Sequence, residues 1–265
     1  KSLTLNTIGT LFSKGVDPYF KGTFIYDKWT EQTYPVLRLS FLRYPVDSPA
    51  EFKRQLCNDL TNTAEDLGLT RYREDTEPNV CIKNLFNAMP DGMQIVLLID
   101  EYDCQLTANI NRPELYEQFR GVLRELYATL KGARQLKFMA VTGVTRLKDV
   151  SIFSVGSDIE DISYTHAFAQ MIGFTREEIK KYYFDYLKLG VSYSEHKALE
   201  QVTEAEIEHL LDRMAEEYDG YCFDQYNEHR VFSTLSVNKF LKSISSDERV
   251  VFGDYWYEAG GIPSI

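Results

Sequence analysis

The sequence predicts an α/β fold, with a parallel sheet flanked by helices in its first part and a mostly helical second part carrying a small hairpin. Three observations lead there. Ile95-Val96-Leu97-Leu98-Ile99 runs apolar with no polar alternation, the pattern of a strand buried on both faces and hence of a sheet covered by helices. Strand-like runs alternate with helical ones up to about Tyr164. From Thr175 onward, capping boxes and helical spacing take over. A chain of 265 residues fits one large domain or a core with a smaller lobe, and the expected division is residues 1–164 and 165–265.

In chain order, Leu5, Ile8, Leu11 and Phe12 fall at helical spacing and predict a helix over Ser2–Ser13. Tyr34–Phe41 reads as the first strand. Ser48-Pro49-Ala50-Glu51 combines a capping box with proline at the first helical position, and Gly68 should end that helix. Val80, Ile82, Leu85, Phe86 and Met89 give a short helix its apolar face, closed by Asp91-Gly92 ahead of the buried strand. Leu115, Phe119, Val122, Leu123, Leu126 and Leu130 predict a helix over Pro113–Lys131 that stops at Gly132. Leu136–Thr142 is a further strand, and Ile159–Ser163 a candidate short one. Capping boxes at Thr175 and Thr203 start helices over about Arg176–Leu187 and Glu204–Glu217. Tyr221–Phe223 and Arg230–Phe232 should pair as a hairpin with Tyr221 and Phe223 buried, ahead of a helix near Ser236–Ile244.

Composition narrows the function classes. A net charge of −11 argues against a broad nucleic-acid surface for this region. No apolar run reaches the length of a membrane span. Four cysteines without a CxxC pair read as reduced thiols of a cytoplasmic protein. The four histidines show no HExxH or paired metal-ligand spacing and read as surface or lid residues.

The chemistry gathers where the buried strand ends. Asp100, Glu101 and Asp103 follow its last apolar residue, and ligands of parallel sheets sit beyond the carboxyl ends of the strands. Carboxylates there suit a hard cation. The arrangement matches a Walker B element, in which the first acid supports Mg²⁺ and the second polarises the attacking water. A buried strand that ends in a polar turn is the competing reading. Lys1-Ser2 at a helix start is how a Walker A motif ends, with the lysine on the β/γ-phosphates and the hydroxyl on Mg²⁺. Together the two ends predict a P-loop NTPase-type parallel sheet, with residues 165–265 as its lid. Thr142 and Arg146 follow the next strand, at the position of a γ-phosphate sensor; a solvated surface arginine is the alternative for Arg146.

The ordered set of segments LIDEYD (Leu98–Asp103), TGVTRLKDVSIFS (Thr142–Ser154), DISYT (Asp161–Thr165), GFTREEI (Gly173–Ile179), EYDGYCF (Glu217–Phe223) and YWYEAGGIP (Tyr255–Pro263), with KSLTL at Lys1–Leu5, resembles the AAA-ATPase-like family of bacterial P-loop proteins. The resemblance implies ATP and Mg²⁺ as ligands, Lys1 and Ser2 as the end of Walker A, Asp100 and Glu101 as Walker B, and Thr142 and Arg146 as sensor residues. It also implies a nuclease-like domain of the PD-(D/E)XK type as a C-terminal partner in the complete protein. The family's glycine-rich loop and first strand precede the position of Lys1, so the chain is expected to be a fragment with weak affinity for ATP, its site empty or holding a small anion. Val231-Phe232-Ser233-Thr234 stands where the family more often has an Asn-Pro turn.

The favoured function is therefore an ATP-binding, ATP-hydrolysing switch domain that transfers a phosphoryl group to water. The alternatives are a non-catalytic nucleotide-binding or protein-interaction module, and a metal-dependent nuclease in which Asp100, Glu101 and Asp103 hold the metal directly. The nuclease reading lacks an E-x-K pair on a strand after Asp100.

Overall fold

The computed structural model describes residues 1–144, 152, 159–253 and 255. The chain divides into two units, Lys1–Ile159 and Glu160–Ile265. The first unit contains α1 (Ser2–Lys14), β1 (Val36–Ser40), α2 (Pro49–Asp66), α3 (Pro78–Ala88), β2 (Ile95–Asp100), α4 (Cys104–Thr107), α5 (Pro113–Leu130) and β3 (Leu136–Val141). The strands form a parallel sheet in the order β1-β2-β3, with Val36 opposite Val96 and Ser40 opposite Asp100 on one side, and Val96 opposite Phe138 and Ile99 opposite Val141 on the other. This is the α/β architecture the sequence predicts, and it is consistent with a P-loop NTPase-like fold.

The missing alternation in β2 has a direct cause. Ile95, Leu97 and Ile99 pack into a cluster with Phe52, Leu56 and Leu60 of α2, Ile82 and Leu85 of α3, and Phe119, Leu123 and Leu126 of α5. Val96 and Leu98 point the other way, onto Leu5 and Phe12 of α1 and Tyr34. Both faces of the strand are covered, so a polar residue on either face would be buried. Phe12 is held among Trp29, Tyr34 and Phe138 with ring centroids 5.0–6.1 Å apart. Among the described residues β3 pairs on one side only, and its side chains are half-buried where those of β2 are sealed.

Several local expectations change. At Ser48 only half of the capping box forms: the Ser48 hydroxyl accepts the Glu51 N–H at 3.3 Å, but the Glu51 carboxylate pairs with Arg54 and Gln55 instead of reaching back. Helix α4 was not expected. It is short because Asp103, Cys104 and Leu106 carbonyls close single turns, and it is held from within by two buried amides. Gln105 Nε2 donates to the carbonyls of Phe41 (2.8 Å) and Tyr44 (3.3 Å), and Asn109 Nδ2 donates to those of Val46 (2.6 Å) and Gln105 (2.7 Å). These bonds clamp α4 to the 3-10 turn Phe41–Arg43 that ends β1.

Ile159–Ser163 is not a strand. Asp161 Oδ1 accepts the Ser163 N–H at 3.0 Å and Ile162 O accepts the Thr165 N–H at 3.2 Å, so local turn bonds take the groups a strand would have paired.

The second unit is helical: α6 (Arg176–Tyr182), α7 (Phe184–Glu195), α8 (Glu204–Tyr218) and α9 (Thr234–Asp247), with 3-10 turns at His166–Phe168 and Leu199–Gln201. Both predicted capping boxes are present, at Thr175 and Thr203. The helix predicted over Arg176–Leu187 is two helices, broken where Tyr183 leaves helical geometry and lodges its ring edge-on against Phe174 at 5.6 Å. The unit has its own core, centred on Ile179, Leu187, Leu211, Met214, Phe240 and Ile244. The hairpin is reduced to an antiparallel bridge between Tyr221 and Val231, with a second bridge from Phe174 to Phe232. Val231 and Phe232 are the buried residues there, while Tyr221 and Phe223 stay half-buried and stack on each other at 5.9 Å. Among the described residues no helix is long and apolar enough to cross a membrane.

Replacing Gln105 with leucine should lower stability by about 1–3 kcal/mol, because the buried Phe41 and Tyr44 carbonyls lose their donor without gaining water. Urea unfolding followed by circular dichroism measures this; an unchanged midpoint would show that the amide clamp does not hold α4.

Candidate functional site

The C-terminal ends of β2 and β3 and the N-terminus of α1 meet. Lys1 Nζ donates to the Gly143 carbonyl at 2.7 Å, which ties the start of α1 to the residue two positions beyond β3. Asp100 closes β2, and the Thr142 hydroxyl donates to Asp100 Oδ1 at 2.5 Å. The Glu101 N–H also reaches Asp100 Oδ1, at 3.1 Å. The backbone continues the sheet by one rung on each side, Thr142 N–H to Ile99 O at 2.9 Å and Tyr102 N–H to Thr142 O at 3.0 Å. Thr142 is thus fixed by its backbone while its hydroxyl orients the Asp100 carboxylate. Among the described residues Asp100 Oδ2 accepts no hydrogen bond.

Glu101 stands in the left-handed region at φ 53°, a conformation that costs a non-glycine residue on the order of 1 kcal/mol or more. That turn takes the chain out of the strand, which ends at Asp100. Burial pushes the Glu101 carboxyl above the usual carboxylate range, helped by the charges of Asp100 and Asp103 and opposed by Lys1.

Asp103 behaves differently from its neighbours. It is 1% exposed, and both of its oxygens accept the Val144 N–H, at 3.2 and 3.1 Å. Its carboxylate holds the loop after β3 in place, so it is not an open metal ligand. The fit there is close. A Cβ at Gly143 would lie 2.5 Å from Tyr102 Cε1 and 2.6 Å from Asp103 Oδ1. Sequence reasoning missed Gly143, although its place directly after a strand that ends in threonine marks it as a point of close backbone approach.

Of the residues singled out from sequence, Lys1, Asp100, Glu101 and Thr142 come together. Ser2 opens α1 with its side chain exposed. Arg146 lies outside the described residues. The first turn of α1 holds no acidic residue and no side chain caps it, so its N–H groups remain open to an anion.

Substituting Gly143 with alanine should lower stability by roughly 1–3 kcal/mol, the cost of overpacking a closed contact. The fall should appear as a lower thermal midpoint. A Gly143→Ala protein as stable as the parent would mean the Tyr102–Asp103 wall gives way freely.

A protein of Azotobacter chroococcum mcd 1 described as "Uncharacterized protein in vnfD 5'region" is 30% identical over 183 residues, which is 68% of this chain and 35% of that protein. The chain therefore spans about a third of that relative's length. No solved structure matches. A family model described as predicted AAA-ATPase matches residues 1–153, more than half of the chain and the part that contains the whole sheet, and the chain accordingly belongs to this AAA-ATPase-like family.

Proposed function

We propose that the first unit binds ATP and hydrolyses it in a Mg²⁺-dependent reaction, as the switch domain of a larger protein. The observation that carries this reading is the convergence, at one end of the sheet, of an uncapped helix start, the Lys1 amine, and two adjacent carboxylates in unlike surroundings. The donor set fits a magnesium nucleotide. The open N–H groups of α1 and the helix dipole favour phosphate oxygens. Asp100 Oδ2 accepts no hydrogen bond from the described residues, which leaves it available to a metal-bound water. When bound, Mg²⁺ would neutralise charge on the phosphate oxygens.

Each residue of this chain then has a distinct task. Lys1, now on the Gly143 carbonyl, moves its amine onto the β/γ-phosphates. Ser2 and Asp100 supply the oxygens for the metal, and Thr142 keeps Asp100 oriented through the 2.5 Å bond. Glu101 aligns the attacking water and takes its proton, a role that suits a carboxyl whose proton affinity is raised. Arg146 senses the γ-phosphate and stabilises its charge, while the Thr142 hydroxyl stays with Asp100. The helical second unit serves as the lid. A nuclease in which three carboxylates share a metal is disfavoured, because Asp103 is committed to Val144.

The test is phosphate release from ATP by the protein as encoded. Glu101→Gln should reduce turnover by about 100-fold or more, the range for loss of a positioned base. Unchanged turnover would remove Glu101 from catalysis. ATP binding that survives in Glu101→Gln, seen by calorimetry, separates a lost base from a lost site; binding without phosphate release in the parent protein would favour the non-catalytic module.

The pH dependence follows from the sign of the Glu101 shift. The base must be ionised, so kcat/KM, which reports the nucleotide-free protein, should fall on the acid side with a midpoint above the ordinary value of 4.5. Stability runs the other way. A carboxyl whose folded value is raised contributes stability below its unfolded value and loses it as pH rises through the folded value. At neutral pH Glu101→Gln should therefore raise the thermal midpoint while lowering turnover. A variant that is slower and also less stable would contradict this assignment.

A further inference from the structure

Asp224, in the second unit, has a side chain fully removed from solvent. Burying a carboxylate is costly unless its oxygens are paired. Here the chain from Asp224 to His229 folds around it: Tyr226 N–H reaches Oδ1 at 3.0 Å, and the N–H groups of Glu228 and His229 reach Oδ2 at 3.2 and 3.0 Å. Asn227 at φ 57° provides the left-handed step that turns those last two amides back. The backbone donors account for the burial of the carboxylate. They do not account for the His166 imidazole that sits on it, nor for the His229 ring beside that imidazole.

His166 Nδ1 lies 3.2 Å from both Asp224 oxygens, and the His166 and His229 rings lie 4.6 Å apart at 31°. One donor atom from each of His166, Asp224 and His229 falls within 4.8 Å of the others. Two ligand atoms on a tetrahedral Zn²⁺, each about 2.0–2.1 Å from the metal, stand roughly 3.3 Å apart. The His166–Asp224 pair already has that spacing. The third donor lies within 4.8 Å, and rotation of an imidazole about its soft Cβ–Cγ torsion is the movement that would close the remaining distance. Gln170 lies 3.4 Å from His229 Nδ1, where its amide can orient the ring as an outer partner. Glu228 Oε2, 3.9 Å from His166 Nδ1, adds negative charge on the solvent side.

We propose that His166, Asp224 and His229 form a binding site for a divalent cation of the zinc class, with the fourth position open to water. Two imidazoles and one carboxylate select a borderline metal over Mg²⁺ or Ca²⁺, which prefer oxygen donors throughout. Three protein ligands leave a coordination position free. The cation replaces the His166–Asp224 hydrogen bond, uses the remaining lone pair of Oδ1, and leaves the backbone bonds to Oδ2 intact. It cross-links the 3-10 turn His166–Phe168 to the 224–229 loop, two segments that the Gln225 N–H to Tyr164 O bond (3.1 Å) already brings together. The site lies beyond residue 153, outside the segment matched by the family model.

The experiment is a titration of the metal-stripped chain with Zn²⁺ by calorimetry and with Co²⁺ by visible absorption, without nucleotide or Mg²⁺ so that the ATP reading does not affect the outcome. One equivalent should bind, and Co²⁺ should develop the intense bands of a tetrahedral site. His166→Gln and His229→Ala should each weaken Zn²⁺ by more than about 100-fold, beyond the range for losing an outer partner. His209→Ala, exposed on α8, should change nothing. Zn²⁺ should raise the thermal midpoint of the parent chain and of His209→Ala alone among these variants. Asp224→Asn is a poor probe, because it disturbs the acceptor of three backbone amides. X-ray absorption of the zinc-loaded parent chain needs no variant and should show two imidazole nitrogens with oxygen completing the shell. Failure to take up Zn²⁺, binding indifferent to His166 and His229, or a shell without imidazole overturns the proposal.

Discussion

The double burial of β2 is the constraint from which the rest of the first unit follows. Ile95, Leu97 and Ile99 are committed to α2, α3 and α5, while Val96 and Leu98 are committed to α1. Nothing along the strand is free for chemistry, and polar groups can begin only where it leaves the sheet. The same packing fixes α1 against β2, which is what carries Lys1 to Gly143. A cavity in the cluster of Leu5, Phe12, Tyr34, Val96 and Leu98 would act at the site through this path, by loosening the helix whose start forms one wall. Deleting a buried ring such as Phe119 costs about 3–5 kcal/mol in cores of this kind, a large part of a domain's net stability.

The strand end is built against stability. Glu101 adopts a left-handed backbone, its carboxyl is held where ionisation is disfavoured, and the Gly143 contact admits no side chain. Each feature has a cost, and the surrounding packing offsets it. Backbone strain and a raised carboxylate value are independent departures from what a stable turn would choose. Their coincidence on Glu101 marks it off from Asp103 two residues later, whose carboxylate accepts the Val144 N–H.

The parts of the fold legible in sequence were those with one dominant local signal. The β2 run, the Thr175 and Thr203 capping boxes and the apolar face of α5 each depend on residues within a few positions of one another. What was not legible depended on partners distant in sequence. Gln105 and Asn109 look like ordinary polar residues until the turn after β1 presents its carbonyls to them. Ile159–Ser163 has the composition of a strand, but the Asp161 side chain captures the amide first. Tyr221 and Phe223 have the mass to be buried, yet Val231 and Phe232 occupy the interior. At the site, the Asp100–Glu101 pair was readable from the strand end, whereas the division of labour between Asp100 and Asp103 needed the position of Val144.

Three aspartates show how context, not residue type, decides what an acid does. Asp103 and Asp224 are both buried, and both accept backbone N–H groups: that of Val144 for the first; those of Tyr226, Glu228 and His229 for the second. Such donors hold a loop closed. Asp100 takes a single hydroxyl and one strained backbone contact on Oδ1. Asp103 is fully absorbed by its loop. Asp224 retains the His166 imidazole, with the His229 ring beside it, that its loop does not require, and Asp100 retains an oxygen that its strand does not require. In both cases it is the surplus donor or acceptor, beyond what folding uses, that points to a ligand.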